Sequence, residues 1–302
     1  MSNTNVKLIG GWFSPFTLRV KIALNIKSLE YENIEETLYP KSQLLVQSNP
    51  VHKKIPVLLH VDKPICESTI IIEYIDEVWN SGHSILPSDA YDRAMARFWA
   101  AYFEDKCMLA MAKSIRVDDE EARKPYLEEI EDSLVTIEGE LQKWCREGKG
   151  YFGGEEIGLV DITFGSLLGM MGMIETMNGR KMIVEEKHPC LVKWADRFAS
   201  DPNVKGLIPE PEKLLSLMWL GPERIVQKRV EEKSPQNNKR IAQPLASHDL
   251  SLCISQALQM KQWKAAATAK KWNSVLNGQA FCSEIVNCVL VFTFILFYFI
   301  FF

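Results

Sequence analysis

A serine stands at residue 14 between an apolar, strand-like stretch at residues 6–9 and a proline, in the run Trp12-Phe13-Ser14-Pro15-Phe16. Serine followed by proline is the chemistry of a helix start: the side-chain oxygen accepts an orphan backbone N–H, and proline presets the first helical turn. The same junction has a second use. The electropositive start of a helix stabilises an anion, so a thiolate held there is favoured and can accept a hydrogen bond from the serine hydroxyl. Other residues with chemical potential are the lysines at 41, 53 and 54, Pro56 inside an apolar run, and the pair Glu67-Ser68 ahead of a helical pattern. Each has a local reading: solvated charges, a strand-entry proline, a helix cap. A cis Ile55-Pro56 bond would turn the Ile55 backbone outward, offering its N–H and C=O to an extended peptide-like ligand, and both isomers are compatible with the residues.

The elements that must position these groups follow from periodicity and punctuation. Residues 6–9 alternate as a strand; Leu18, Val20, Ile22, Leu24 and Ile26 give an apolar helix from Pro15 to about Lys27; residues 31–35 form a second strand. A short helical piece at 43–47 stops at Asn49-Pro50, because the residue before proline avoids the helical region. Two short strands, 55–60 and 63–66, are joined through Val61-Asp62, and a last helix runs from Ser68, as its cap, to about Trp79. The order β-α-β-α-β-β-α predicts an α/β thioredoxin-like domain.

At 302 residues, with 47% hydrophobic and 25% charged residues, the chain has room for two domains with their own cores. The seven cysteines form no C-x-x-C and are odd in number, which points to a reducing, cytosolic setting. Five histidines without H-E-x-x-H or finger-like spacing support no metal site, and none is expected. The net charge of -4 conceals a basic stretch after residue 220, so the body is acidic, which argues against nucleic acid as partner. The first residues show neither signal nor transit features.

The motifs Ser14-Pro15-Phe16, Lys41-Ser42, Asn49-Pro50-Val51-His52-Lys53-Lys54-Ile55-Pro56-Val57-Leu58, Ile65-Cys66-Glu67-Ser68 and Tyr74-Ile75-Asp76-Glu77-Val78-Trp79, in this order, closely resemble a plant tau-class glutathione S-transferase. The likeness continues through Leu86-Pro87-Ser88-Asp89, Ala96-Arg97-Phe98-Trp99, Tyr151-Phe152-Gly153-Gly154 and Gly158-Leu159-Val160-Asp161-Ile162, and fades near Leu220. It implies a thioredoxin-like glutathione-binding domain over residues 1–82 and an all-α helical bundle over 89–220 that contributes the electrophile pocket. It also implies that Ser14 donates to the glutathione sulfur, lowering the thiol's pKa so that the thiolate attacks an electrophilic carbon. By the same resemblance Lys41 and Lys54 take the glycine carboxylate, the Ile55 backbone before a cis Pro56 clamps the peptide, and Glu67 with Ser68 holds the γ-glutamyl end. Glutathione is then a co-substrate, no cofactor is needed, and the protein acts as a cytosolic homodimer in detoxification and stress response. Glutathione-dependent peroxidase activity at the same site, or non-catalytic carriage of hydrophobic ligands or glutathione adducts, are the alternatives. Thiol-dependent exchange is disfavoured by a hydroxyl at position 14.

Beyond residue 89 the spacing predicts long amphipathic helices over about 91–112 and 124–147, and a central, nearly all-apolar helix over 160–177. The resemblance assigns Asp161 to the start of that central helix as a folding residue, with Gly158 where a serine or threonine is usual. It places Phe16, Leu38, Met108, Ala112, Ile115 and Met170 around the electrophile, predicting a soft, apolar pocket; ordinary core packing is the alternative for several of them. Residues 221–284 are expected to be a disordered, basic extension. The apolar segment 285–302 would span about 27 Å as a helix, enough for a tail anchor, and membrane attachment is expected only if it is expressed. Translated non-coding sequence is the other explanation for this extension.

Overall fold

The computed structural model describes residues 5–37, 40–117, 119–146 and 149–219; the extension at 221–284, the apolar segment 285–302 and Leu38 lie outside them. The N-terminal half runs β1 (Val6–Gly10), α1 (Pro15–Ile26), β2 (Glu32–Glu35), α2 (Gln43–Ser48), β3 (Val57–His60), β4 (Lys63–Cys66) and α3 (Ser68–Val78), the thioredoxin-like order expected. The sheet is mixed, in the order β2-β1-β3-β4: β1 lies parallel to β2 and antiparallel to β3, and β3 is antiparallel to β4. The β3–β4 hairpin turns through Val61 and Asp62, both at positive φ (50° and 62°). Such a turn matches the twist of the strands it joins. Helices α1 and α3 pack against each other, with Leu18, Ile22, Ile71, Ile72 and Ile75 inside.

The register decides where the site forms. Ile9 stands opposite Ile34 and Val57, Gly10 opposite Glu35, and Val57 opposite Cys66. The chain therefore leaves β1 toward Ser14, leaves β2 toward Lys41, enters β3 from Ile55-Pro56 and leaves β4 toward Glu67-Ser68, all at one end of the sheet. Ile9, Leu45 and Val57, with Ile34, Ile55 and Cys66 packed against them, form the apolar floor beneath that end.

The second half is helical: α4 (Ala90–Tyr102), a π-helical segment (Phe103–Met108), α5 (Leu109–Arg116), α6 (Glu120–Arg146), α7 (Leu159–Gly165), α8 (Leu168–Asn178), α9 (Pro189–Ser200) and α10 (Pro211–Trp219). Three expectations change here. The first long helix extends to Arg116 and loosens its pitch in the middle. The second begins at Glu120, ahead of Pro125: the Asp119 side chain accepts the Ala122 N–H at 2.8 Å, and the start lies a turn before the proline. The central helix divides at Ser166-Leu167 into α7 and α8. There the buried Ser166 hydroxyl donates to Thr163 O at 2.9 Å and accepts from Arg19 at 3.0 Å.

All of α7 is buried, and an 18-residue window within Leu159–Asn178, apolar enough to cross a membrane, has 78% of its residues inside the protein. Its core is a column of rings. Phe103 stacks on Phe164 at 4.7 Å, Phe164 on Trp194 at 4.9 Å, and Trp194 on Phe198 at 5.3 Å. Gly165 makes room for this column, since a Cβ there would lie 2.2 Å from the Phe198 ring.

Candidate active site

Ser14 is the N-cap of α1, with extended backbone (φ -88°, ψ 120°), Pro15 behind it, and its Oγ accepting the Thr17 N–H at 3.3 Å. The residue is 6% exposed. Because the oxygen accepts within the helix, its own hydrogen is left to donate, and among the described residues it donates to no protein group. The loop that carries it is held tightly. A Cβ on Gly11 would lie 2.6 Å from the Phe13 ring and 3.3 Å from Ile55 Cδ1, so glycine lets the β1–α1 loop close against the segment before Pro56. From the other side Glu35, at the end of β2, accepts the Trp12 N–H at 2.8 Å.

The Ile55-Pro56 bond is cis. The loop before it is organised by buried Asn49, whose side chain donates to Lys54 O at 3.0 Å and accepts the His52 N–H at 3.0 Å. Across from it, the Lys41 ammonium donates to Lys53 O at 2.6 Å. Burial, followed by the nearby Lys54 charge, lowers the Lys41 pKa, with Glu36 opposing. A partly desolvated cluster of cations gains by taking an anion.

At the start of α3 one expectation is corrected. Ser68 is not the cap: the helix begins at Ser68 itself, the cap position is Glu67 at φ 71°, and no side chain caps the helix. The left-handed backbone at Glu67 turns the chain straight from strand into helix. Ser68 Oγ instead accepts from Arg19 at 3.4 Å and is 5% exposed. Uncapped first-turn N–H groups on an 11-residue helix favour an anion. The exposed Glu67 carboxylate lies 3.9 Å from the His52 ring.

Arg19 is a central residue that sequence reasoning missed. It is fully buried, yet its guanidinium bonds Ser68 of α3, Glu104 of the π-helical segment, and Ser166 Oγ and Thr163 O of α7. It also lies 4.9 Å over the Phe16 ring. Burial pulls its pKa down, and the Glu104 charge and hydrogen bond oppose this. One side chain of α1 thus joins the two halves behind the site. A charged residue within an apolar helical stripe, five positions after Ser14, was the available signal.

Of the positions assigned to the electrophile side, Phe16 is half-buried, whereas Met108 (0%), Ala112 (1%), Ile115 (5%) and Met170 (5%) are almost covered within the helical half. Asp161 is wholly buried at the start of α7 and accepts from Gly158 N (3.0 Å), Phe152 N (3.1 Å) and Trp194 Nε1 (2.8 Å). Gly158 has no side chain to return the bond, so the acid alone braces the preceding loop. Burial pushes its carboxyl up to about 6 against the pull of these donors. Two described cysteines are held in the protonated thiol form: burial pushes Cys107 up to about 12, and burial with the neighbouring Glu67 raises half-buried Cys66.

A thioredoxin-like sheet whose open end gathers a helix-cap hydroxyl, a lysine cluster and an uncapped helix start, joined to an all-helical half, is glutathione S-transferase architecture. The chain belongs to the glutathione S-transferase family, in its tau class: the family's N-terminal domain matches residues 4–77 and its C-terminal domain residues 90–202. Among solved structures it is similar to a tau-class glutathione S-transferase from mango, with 53% identity, coverage of 70% of this chain and 96% of that one, and a TM-score of 0.67. It is also similar to rice GST1 in complex with glutathione, with 34% identity, 76% and 99% coverage, and a TM-score of 0.66. Glutathione S-transferase U17 of Arabidopsis thaliana is 49% identical over 215 residues, covering 71% of this chain and 94% of the relative.

Proposed function

We propose that this transferase binds glutathione at the end of its sheet and conjugates the thiolate to hydrophobic electrophiles, with Ser14 donating its hydroxyl hydrogen to the sulfur. The observation that carries the reading is the geometry of Ser14: a nearly buried hydroxyl at a helix start, already accepting from Thr17 N, with its own hydrogen uncommitted among the described residues. A thiol with an ordinary pKa of about 8.5 is mostly protonated at neutral pH, and a donor together with a helix N-terminus favours its ionised form. Lys41 and Lys54 attract the glycine carboxylate, the Ile55 backbone before Pro56 pairs with the peptide, Glu67 answers the γ-glutamyl ammonium, and Ser68 with the first-turn N–H groups of α3 takes the α-carboxylate. Residues 1–82 form the glutathione side. Residues 89–220 supply the electrophile side, with half-buried Phe16 reaching it, while Met108, Ala112, Ile115 and Met170, nearly covered, form the soft apolar packing behind it.

The working form is a cytosolic homodimer. Exposed Ile70 of α3 and Tyr91 and Phe98 of α4 offer apolar surface on two helices already tied by the Arg97–Glu73 pair. Conjugation of a panel running from small aryl halides to long-chain isothiocyanates and lipid-derived enals tests the function. Turnover favouring the bulky apolar members, sharply reduced in Ser14→Ala with glutathione affinity largely spared, is expected; unchanged conjugation by Ser14→Ala would sink the proposed role.

A further inference from the structure

The chain leaves β2 one residue before Glu36, whose N–H still donates to Gly10 O at 2.6 Å. Its carboxylate is 5% exposed and turns into the loop that carries Lys41. One oxygen accepts the Thr37 N–H at 2.8 Å and the Ser42 N–H at 3.3 Å; the other accepts the Ser42 hydroxyl at 2.5 Å. That hydroxyl in turn caps α2 by accepting the Leu45 N–H at 3.1 Å. On the near side of Lys41, the Thr37 hydroxyl donates to Pro40 O at 3.0 Å. Both neighbours of Lys41 are therefore tied down, and its ammonium reaches Lys53 O from a fixed base.

Every partner of the Glu36 side chain among these contacts is a donor, so the position calls for an acceptor-only group. A buried carboxylate is costly, and donors on both oxygens offset that cost. Its negative charge also faces a group of mutually repelling cations, Lys41, Lys53 and Lys54. Lys53 and Lys54 depress the Lys41 pKa after burial does, and Glu36 acts in the opposite sense.

We infer that Glu36 is a positioning residue for glutathione recognition: its carboxylate closes the loop between β2 and α2, holding Lys41 where it meets the glycine carboxylate. This rests on the Lys41 role proposed above. Glu36 touches no substrate in this account and acts through Lys41 alone, so its removal affects the recognition of one carboxylate and not the thiol chemistry.

The test compares steady-state conjugation with glutathione and with its glycine ethyl ester, in which that carboxylate is neutral, for wild type, Lys41→Ala, Glu36→Gln and the double variant. Glu36→Gln is expected to raise KM for glutathione about fivefold, the scale of a weakened charge-assisted bond, with kcat and KM for the ester within about twofold. The double variant then resembles Lys41→Ala. An equal rise in both KM values would assign Glu36 a general structural role and overturn the inference. So would an unchanged glutathione KM in Glu36→Gln beside a raised one in Lys41→Ala. If Lys41→Ala and the ester both leave wild-type KM unaltered, the Lys41 role fails and takes the inference with it, a result distinct from the other two. Should Glu36→Gln not fold, Ser42→Ala removes the bridging hydroxyl and is expected to give the same selective rise, about twofold; an equal or absent change across the two thiols overturns the inference by that route.

Discussion

Replacing Arg19 by methionine keeps most of the side-chain volume and removes the charge that joins α1, α3, α7 and the π-helical segment. The lost interactions are the ion pair with Glu104, the bond to Ser166 Oγ at 3.0 Å, and longer contacts to Thr163 O at 3.3 Å and Ser68 Oγ at 3.4 Å. Breaking a buried pair from one side costs about 3–5 kcal/mol. Two features lower the figure here. The Glu104 side chain is 38% exposed and can turn toward water, and Thr163 O keeps the Ser166 hydroxyl as a donor. The guanidinium's own desolvation, which depresses its pKa, is also relieved. The net expectation is a loss of about 2–3 kcal/mol, or roughly 4–12 °C in Tm for a folding unit of this size. Urea unfolding followed by tryptophan fluorescence measures it. A cycle with Glu104→Gln isolates the pair, and the double variant should be less destabilised than the sum of the singles by about 1–2 kcal/mol. A loss below about 0.5 kcal/mol for Arg19→Met, or strict additivity in the cycle, would refute the reasoning.

Asp161→Asn leaves one acceptor oxygen for the N–H groups of Gly158, Phe152 and Trp194 and turns an amide donor toward them, so a loss of about 2–4 kcal/mol is expected in the same unfolding assay. Asp76 tests pH dependence. Burial raises its pKa, but the N–H groups of Ile85 and Leu86 and the Lys27 ammonium at 2.7 Å outweigh burial and hold it below the usual value. A depressed carboxyl contributes stability that is complete above its unfolded pKa of about 3.9 and is lost as pH falls through the folded value. Wild type should therefore lose more Tm than Asp76→Asn between pH 5 and the acid limit (about pH 2), and parallel curves would contradict the assignment.

The thioredoxin-like half was legible because its boundaries are written in local chemistry: Ser14-Pro15 starts a helix, Asn49-Pro50 stops one, and Val61-Asp62 turns a hairpin. The candidate site was legible only through the order of its motifs, since it spans Ser14 to Ser68 and is assembled by strand register. What escaped was set by tertiary contact. Arg19 has the sequence appearance of a solvated charge and is wholly buried; Glu36 is one carboxylate among several on β2 and its edge, and only its turn inward distinguishes it. Ser68 looked like a cap because serine usually is one, but the positive φ of Glu67 moves the helix start by a residue. The division at Ser166-Leu167 lies in a nearly all-apolar stretch and gave no periodic signal.

The central claim is that the Ser14 hydroxyl stabilises the bound thiolate. Its most direct measurement is the titration of enzyme-bound glutathione by thiolate ultraviolet absorbance, in wild type and Ser14→Ala. Loss of one hydrogen bond to a charged sulfur, about 1.5–3 kcal/mol, should raise the bound thiol's pKa by about one to two units, toward the free value near 8.5. The conjugation deficit of the variant should shrink as pH rises past that value, because the thiol then ionises without help. A bound-thiol pKa that is the same in both proteins would contradict the account.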